Sequence, residues 1–169
     1  MIGKPSDEGG GTAVLDRPAI DAADALQRLD EVLDLSNVRM KLADAEEGAG
    51  LPISRIDRME VEYRKFLALQ LMHPGEDIVP CEIVDEMWHR HILDTAAYRK
   101  DCDAIFGQFL DHFPYFGMRG EADAQALNDA YSETLARYED AFGEPPADTW
   151  IASDAASCRR KACKPMKCR

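Results

Sequence analysis

The sequence lacks any apolar run long enough for a membrane-spanning helix, and the stretch from Met1 to Thr12 holds no signal-peptide core. It also lacks a phosphate-binding glycine loop, a serine nucleophile elbow and a motif of paired catalytic carboxylates. No segment alternates apolar and polar residues in the way that a strand does. These absences predict a cytoplasmic, all-helical protein outside the common nucleotide-binding and hydrolase classes.

Positive charge is scarce everywhere except near the C-terminal end. The net charge is −12, so we expect no general nucleic-acid binding by the body of the protein. Residues 158–169 carry a charge of +6 with no acidic residue, which leaves −18 for the rest. We therefore divide the chain into a disordered lead-in over 1–16, a helical domain over 17–150 and a basic, cysteine-containing tail over 151–169.

Apolar residues at helical spacing organise the central part of the chain. The pattern and its breakers predict helices over residues 18–35, 36–46, 54–71 and 121–142. No glycine or proline interrupts the stretch between Pro80 and Gly107, which predicts one long central helix. Trp150 is expected to fold back onto the body. The expected fold is a compact orthogonal bundle of five or six helices, without strands.

The central helix carries two of the four histidines, and their spacing limits what they can bind. His89 and His91 are two residues apart, so on a regular helix their side chains diverge by about 160° and cannot chelate one ion. Asp85 and His89 are one turn apart and can bind a single cation together. His112, in the aromatic segment 106–117, is a candidate third ligand.

Two histidines and one carboxylate with an open position suit zinc or non-haem iron. His91 or His73 can complete the site if packing turns it inward, and the candidate metal ligands are Asp85, His89, His91 and His112. Asp94 or Asp111 is a candidate partner that orients a ring nitrogen. The candidate pocket residues are Trp88, Tyr98, Cys102 and Tyr115.

Simpler interpretations exist for the same residues. Asp85 and His89 also fit a solvated polar pair, and His91 fits a core histidine satisfied by a buried hydrogen bond. Trp88 and Tyr98 are typical of core packing. Nucleophilic catalysis by Cys102 requires a base from another segment, such as His112.

Five cysteines, an odd number, do not indicate a secreted disulfide framework. Three of them recur every five residues in the tail, as Cys158, Cys163 and Cys168. They fall short of the four ligands of a structural zinc site, but with Met166 they suit Cu(I). The flanking cations favour thiolate formation, so the tail is also a candidate peptide for cysteine modification by a partner enzyme. A disordered basic tail with incidental thiols explains the pattern equally well.

A long motif on the central helix supports a family resemblance. The motif Asp85-x-x-Trp88-His89-x-His91, continued by Tyr98, Cys102 and the segment from Gly107 to Gly117, resembles the glycine-rich domain-containing protein-like family of bacteria and plants. The likeness runs from about residue 63 to residue 143. It implies a largely uncharacterised family whose members often end in a glycine- and cysteine-rich tail, whereas lysine and arginine replace those glycines here.

Two functional hypotheses follow from these patterns. The first is a small helical metal-binding domain, with its site on the central helix and the aromatic segment. The alternative is a protein-interaction module whose histidines are structural and whose cysteine-rich basic tail captures metal or is modified by a partner enzyme. An enzymatic role requires an open coordination position that faces a pocket.

Overall fold

The computed structural model describes residues 20–150 of the chain. Within that range the chain forms six helices and no strand, which confirms the all-α prediction. The helices are α1 (Ala22–Val32), α2 (Ser36–Ala43), α3 (Ile53–Met72), α4 (Glu82–Leu93), α5 (Thr95–Phe106) and α6 (Glu121–Phe142). The lead-in over 1–16 and the tail, with Cys158, Cys163 and Cys168, lie outside the described residues, so the predictions for them stay predictions.

Helix α3 is the element against which α1, α2, α4 and α6 pack. Its apolar residues recur every three or four positions, so they share one face of the helix. Met59, Tyr63 and Phe66 on this face are fully buried in the core. None of the helices in the described range is both long and apolar enough to cross a membrane.

The predicted long central helix is wrong, because the chain breaks at Asp94 into α4 and α5. Asp94 leaves helical geometry, with φ −81° and ψ 69°, and its side chain accepts a hydrogen bond from the backbone N–H of Ala97 at 3.4 Å. An aspartate that caps a helix N-terminus ends one helix and starts the next without any glycine or proline. Residues on the two sides of position 94 therefore do not share one helix axis, and their positions around a single axis cannot be compared. Helix α5 instead packs against α4.

Trp150 folds back onto the body, as its position after α6 led us to expect. Its indole N–H donates to the carboxylate of Glu62 at 2.8 Å, and the Tyr138 hydroxyl donates to the same oxygen at 2.8 Å. Lys65 lies 3.3 Å from the other carboxylate oxygen. The buried charge of Glu62 thus has three donors, and it ties α3 to α6 and to the last described residue.

Replacing Asp94 with alanine tests whether its side chain stabilises the start of α5. We expect Asp94→Ala to lower the free energy of unfolding by about 0.5–1 kcal/mol, because the first turn of α5 loses its side-chain acceptor. Asp94→Asn, which retains an acceptor, should lose less. Asp103→Ala, an exposed position within α5, is the matched control and should change stability by less than about 0.5 kcal/mol in urea unfolding. Equal losses at positions 94 and 103 contradict the capping role.

Candidate metal centre

Three side chains from two parts of the chain converge beside α4: Asp85, His89 and His112. The two Nε2 atoms of the histidines lie 3.1 Å apart. Oδ1 of Asp85 lies 3.0 Å from Nε2 of His112 and 3.7 Å from Nε2 of His89. All three are atoms that ligate zinc and iron in proteins.

Helix α4 supplies two of these groups because Asp85 and His89 are four residues apart and share a face. Asp85 is buried, with 5% of its surface exposed, whereas His89 lies at the edge of the core. Burial is the main cause that lowers the pKa of His89, and the nearby Asp85 carboxylate offsets part of this effect. Burial therefore favours the neutral imidazole of His89, which is the form that ligates a metal.

His112 comes from the segment between α5 and α6, and a chain of hydrogen bonds positions it. The indole N–H of Trp88 donates to the hydroxyl of Tyr98 at 2.9 Å, and that hydroxyl donates to the carbonyl of Leu110 at 2.7 Å. The ring of His112 then packs edge-on against Trp88, with 4.6 Å between ring centroids. Tyr98 thus holds the backbone two residues before His112 and is a positioning residue.

His91, a predicted ligand, is not brought to this group. It is 2% exposed, and its ring is held on both sides by Tyr63, whose hydroxyl lies 3.0 Å from Nδ1, and by Asp101, whose carboxylate lies 3.1 Å from Nε2. Burial lowers the pKa of His91, against the opposing effect of the Asp101 hydrogen bond. His91 matches the core histidine of the simpler interpretation. His73 lies at the C-terminal end of α3, outside the group.

A cavity of about 420 Å³ opens beside the three groups, and all of them line it. Of the four candidate pocket residues, Trp88 alone lines this cavity. Tyr98 and Cys102 are buried in the core, and Tyr115 is exposed to solvent. Burial raises the pKa of the Cys102 thiol, which disfavours the thiolate that nucleophilic catalysis needs.

Several residues that line the cavity were not among the candidates predicted from the sequence. The rings that line the cavity besides Trp88 are those of Phe109, Phe113 and Phe116. The many aromatic residues of segment 106–117 indicated that it packs against the core. Because an irregular segment has no regular residue period, the sequence does not show which of these rings face the cavity. Neither of the two candidate orienting carboxylates hydrogen-bonds a ring nitrogen of the group: Asp94 caps α5, and Asp111 is exposed at the cavity.

The comparisons with known proteins give a family but no activity. The model of a family described as UCP032817-like matches residues 36–137, which include all three converging side chains. This family is uncharacterised, and the match shows that the predicted membership of the glycine-rich domain-containing protein-like family is wrong. Comparison with curated proteins and with solved structures gave no match.

The positioning role of Tyr98 can be tested against a matched tyrosine. Tyr98→Phe removes the hydroxyl between Trp88 and Leu110, so we expect faster amide hydrogen exchange over residues 107–117. Tyr63→Phe removes an equally buried hydroxyl from His91 and should leave exchange over 107–117 unchanged. Each variant should lose about 1–3 kcal/mol of stability, because each leaves a buried polar group without its partner. Equal exchange of the segment in both variants contradicts the positioning role.

Proposed function

The chain belongs to the UCP032817-like family, and we propose that its helical body binds one divalent transition-metal ion, zinc or ferrous iron. The proposed ligands are Nε2 of His89, Nε2 of His112 and Oδ1 of Asp85. The observation that supports this most is the arrangement of short contacts around Nε2 of His112, which a single shared proton satisfies only with bent hydrogen bonds.

Nε2 of His112 lies 3.1 Å from Nε2 of His89 and 3.0 Å from Oδ1 of Asp85. A ring nitrogen either donates a hydrogen or accepts one, but does not do both. If His112 donates, its one hydrogen is shared between the carboxylate of Asp85 and the lone pair of His89, and neither hydrogen bond is linear. If His112 instead accepts from His89, its Nε2 carries no hydrogen, and the oxygen of Asp85 faces it without a donor. A cation at the centre of the three atoms converts all of these contacts into favourable ones.

The spacing of the three atoms also fits an ion. Ligand atoms about 2.0–2.1 Å from a metal lie about 2.9 Å apart at octahedral angles and about 3.4 Å apart at tetrahedral angles. The distances here are 3.0, 3.1 and 3.7 Å, and only the one between His89 and Asp85 exceeds that range. A movement of His89 by a few tenths of an ångström brings it into the range.

The charge of Asp85 provides a second argument. Burying an ionised carboxylate is unfavourable unless a cation or several donors accompany it. Among the residues that the structure describes, no lysine or arginine pairs with Asp85, and its side-chain partners are the two imidazoles. A divalent ion supplies the missing positive charge and leaves at least one coordination position for a ligand from the cavity.

The proposal is tested by metal titration of the full chain with Cys158, Cys163 and Cys168 replaced by serine, so that tail thiols bind no metal. After chelation, this protein should take up one Co²⁺ or Zn²⁺ per chain. Asp85→Asn and His112→Ala should each weaken the affinity at least about 100-fold, because a lost ligand costs more than a lost outer-shell partner. Competition with a chromophoric chelator measures the affinities.

His73→Ala is the matched control, since it removes a histidine outside the group and should leave metal affinity unchanged. Circular dichroism of each variant separates lost binding from lost folding. Uptake of less than one ion, or an affinity that Asp85→Asn and His112→Ala leave unchanged, contradicts the proposed site.

A further inference from the structure

We propose that the cavity beside the three ligands takes a small, uncharged aromatic molecule that coordinates the metal through one nitrogen or oxygen atom. This inference rests on the proposed metal site, because the ion is what holds the polar end of the ligand. It is carried by the shape, lining and charge of the cavity.

Aromatic rings make up a large part of the cavity lining. The rings of Trp88, Phe109, Phe113 and Phe116 all line it. Phe109 and Phe113 are each about half exposed, at 50% and 53%, although both belong to a segment whose backbone is held at Leu110. Aromatic rings attract other rings in stacked and edge-on geometries, so these side chains favour an aromatic ligand over an aliphatic one of equal size.

Aliphatic residues also line the cavity, among them Ile78, Val79, Pro80 and Leu127. Ile78, Val79 and Leu127 are buried, so this part of the lining belongs to the core and is preformed. The volume of about 420 Å³ lies near the lower end of the range for small-molecule sites, about 300–1,000 Å³. A ligand of one or two rings therefore fits better than a larger cofactor.

The charge of the lining argues against anionic ligands. No lysine or arginine lines the cavity in the described part of the chain, whereas Glu76, Asp77 and Asp111 lie at it and are exposed. Arg137 pairs with Glu76, and Arg119, which stacks on Phe113 at 5.0 Å, is paired with Asp123 at 2.7 Å. A phosphorylated or carboxylate-rich molecule thus meets the like charges of Asp77 and Asp111, and the nearby guanidinium groups are already paired with carboxylates.

The ligand's polar atom reaches the metal from inside this cavity. Asp85, His89 and His112 line the same cavity as the rings, so the remaining coordination position faces the apolar walls. A molecule with a ligating atom at one end and a ring at the other satisfies both regions at once. Water can occupy the same position when the ligand is absent.

The test uses the full chain with its three tail cysteines replaced by serine and loaded with Co²⁺, whose visible absorption reports its coordination. The probes are imidazole, 4-phenylimidazole and phenyl phosphate. We expect 4-phenylimidazole to change the Co²⁺ spectrum and to bind at least about tenfold more tightly than imidazole, because its second ring contacts the aromatic wall. Phenyl phosphate should bind more weakly than 4-phenylimidazole.

Phe109→Ala should abolish most of the advantage of 4-phenylimidazole over imidazole, while imidazole binding is unchanged. Tyr115→Ala is the matched control for Phe109→Ala, because this ring lies in the same segment and is similarly exposed but does not line the cavity, and it packs against Phe113 rather than Phe109. Phe113→Ala repeats the test at a second ring that lines the cavity. Both phenylalanines are half exposed, so loss of folding is not expected.

The outcomes separate this inference from the metal site itself. Absence of a Co²⁺ spectrum in the loaded chain overturns the proposed metal function. A normal Co²⁺ spectrum with equal affinity for imidazole and 4-phenylimidazole overturns the aromatic-ligand proposal alone. Tightest binding by phenyl phosphate, or equal losses in Phe109→Ala and Tyr115→Ala, also overturns it.

Discussion

Burying a carboxylate removes its hydration, and the surrounding fold must supply something that stabilises the charge. Three carboxylates are buried in the described part of the chain, those of Glu62, Asp85 and Asp101. Glu62 receives an indole, a hydroxyl and an ammonium group, whereas Asp101 is paired with His91. Asp85 differs, because its two imidazole partners also face each other. The helices around α4 thus bring a buried carboxylate and two imidazoles into one group.

The two histidines of α4 divide between two environments. His91 points into the core, where each of its ring nitrogens has its own partner in Tyr63 or Asp101. His89 points to the cavity, where its Nε2 lies 3.1 Å from Nε2 of His112 and 3.7 Å from Oδ1 of Asp85. The separation follows from the helical spacing of two residues, and the break at residue 94 lets α5 place Asp101 against His91.

Local signals in the sequence account for much of this fold. The bounds of α6 were predicted correctly because Gly120 and Gly143 flank an uninterrupted amphipathic stretch. The break at Asp94 was not predicted, because the sequence does not distinguish an aspartate that caps a helix from one that is solvated on a helix surface. Only the hydrogen bond from the backbone N–H of Ala97 identifies it as a cap. Spacing along the helix predicted that Asp85 and His89 lie together. Which aromatic rings line the cavity depends on tertiary packing, and the sequence did not identify Phe109, Phe113 and Phe116. That Tyr115 lies outside the lining of this cavity could not be predicted for the same reason, since no period governs an irregular segment.

The buried hydrogen bonds of His91 affect how precisely the side chains on the opposite face of α4 are positioned. Tyr63 on α3 and Asp101 on α5 hydrogen-bond the two nitrogens of this ring, which limits rotation of α4 about its own axis. Side-chain atoms about 6 Å from a helix axis move by about 2 Å for a rotation of about 20°. Such a displacement exceeds the tolerance of any coordination bond, about 0.2 Å. The hydrogen bonds of His91, on the side of α4 that faces away from the cavity, therefore help to set the angle of the helix and with it the distance from His89 to His112.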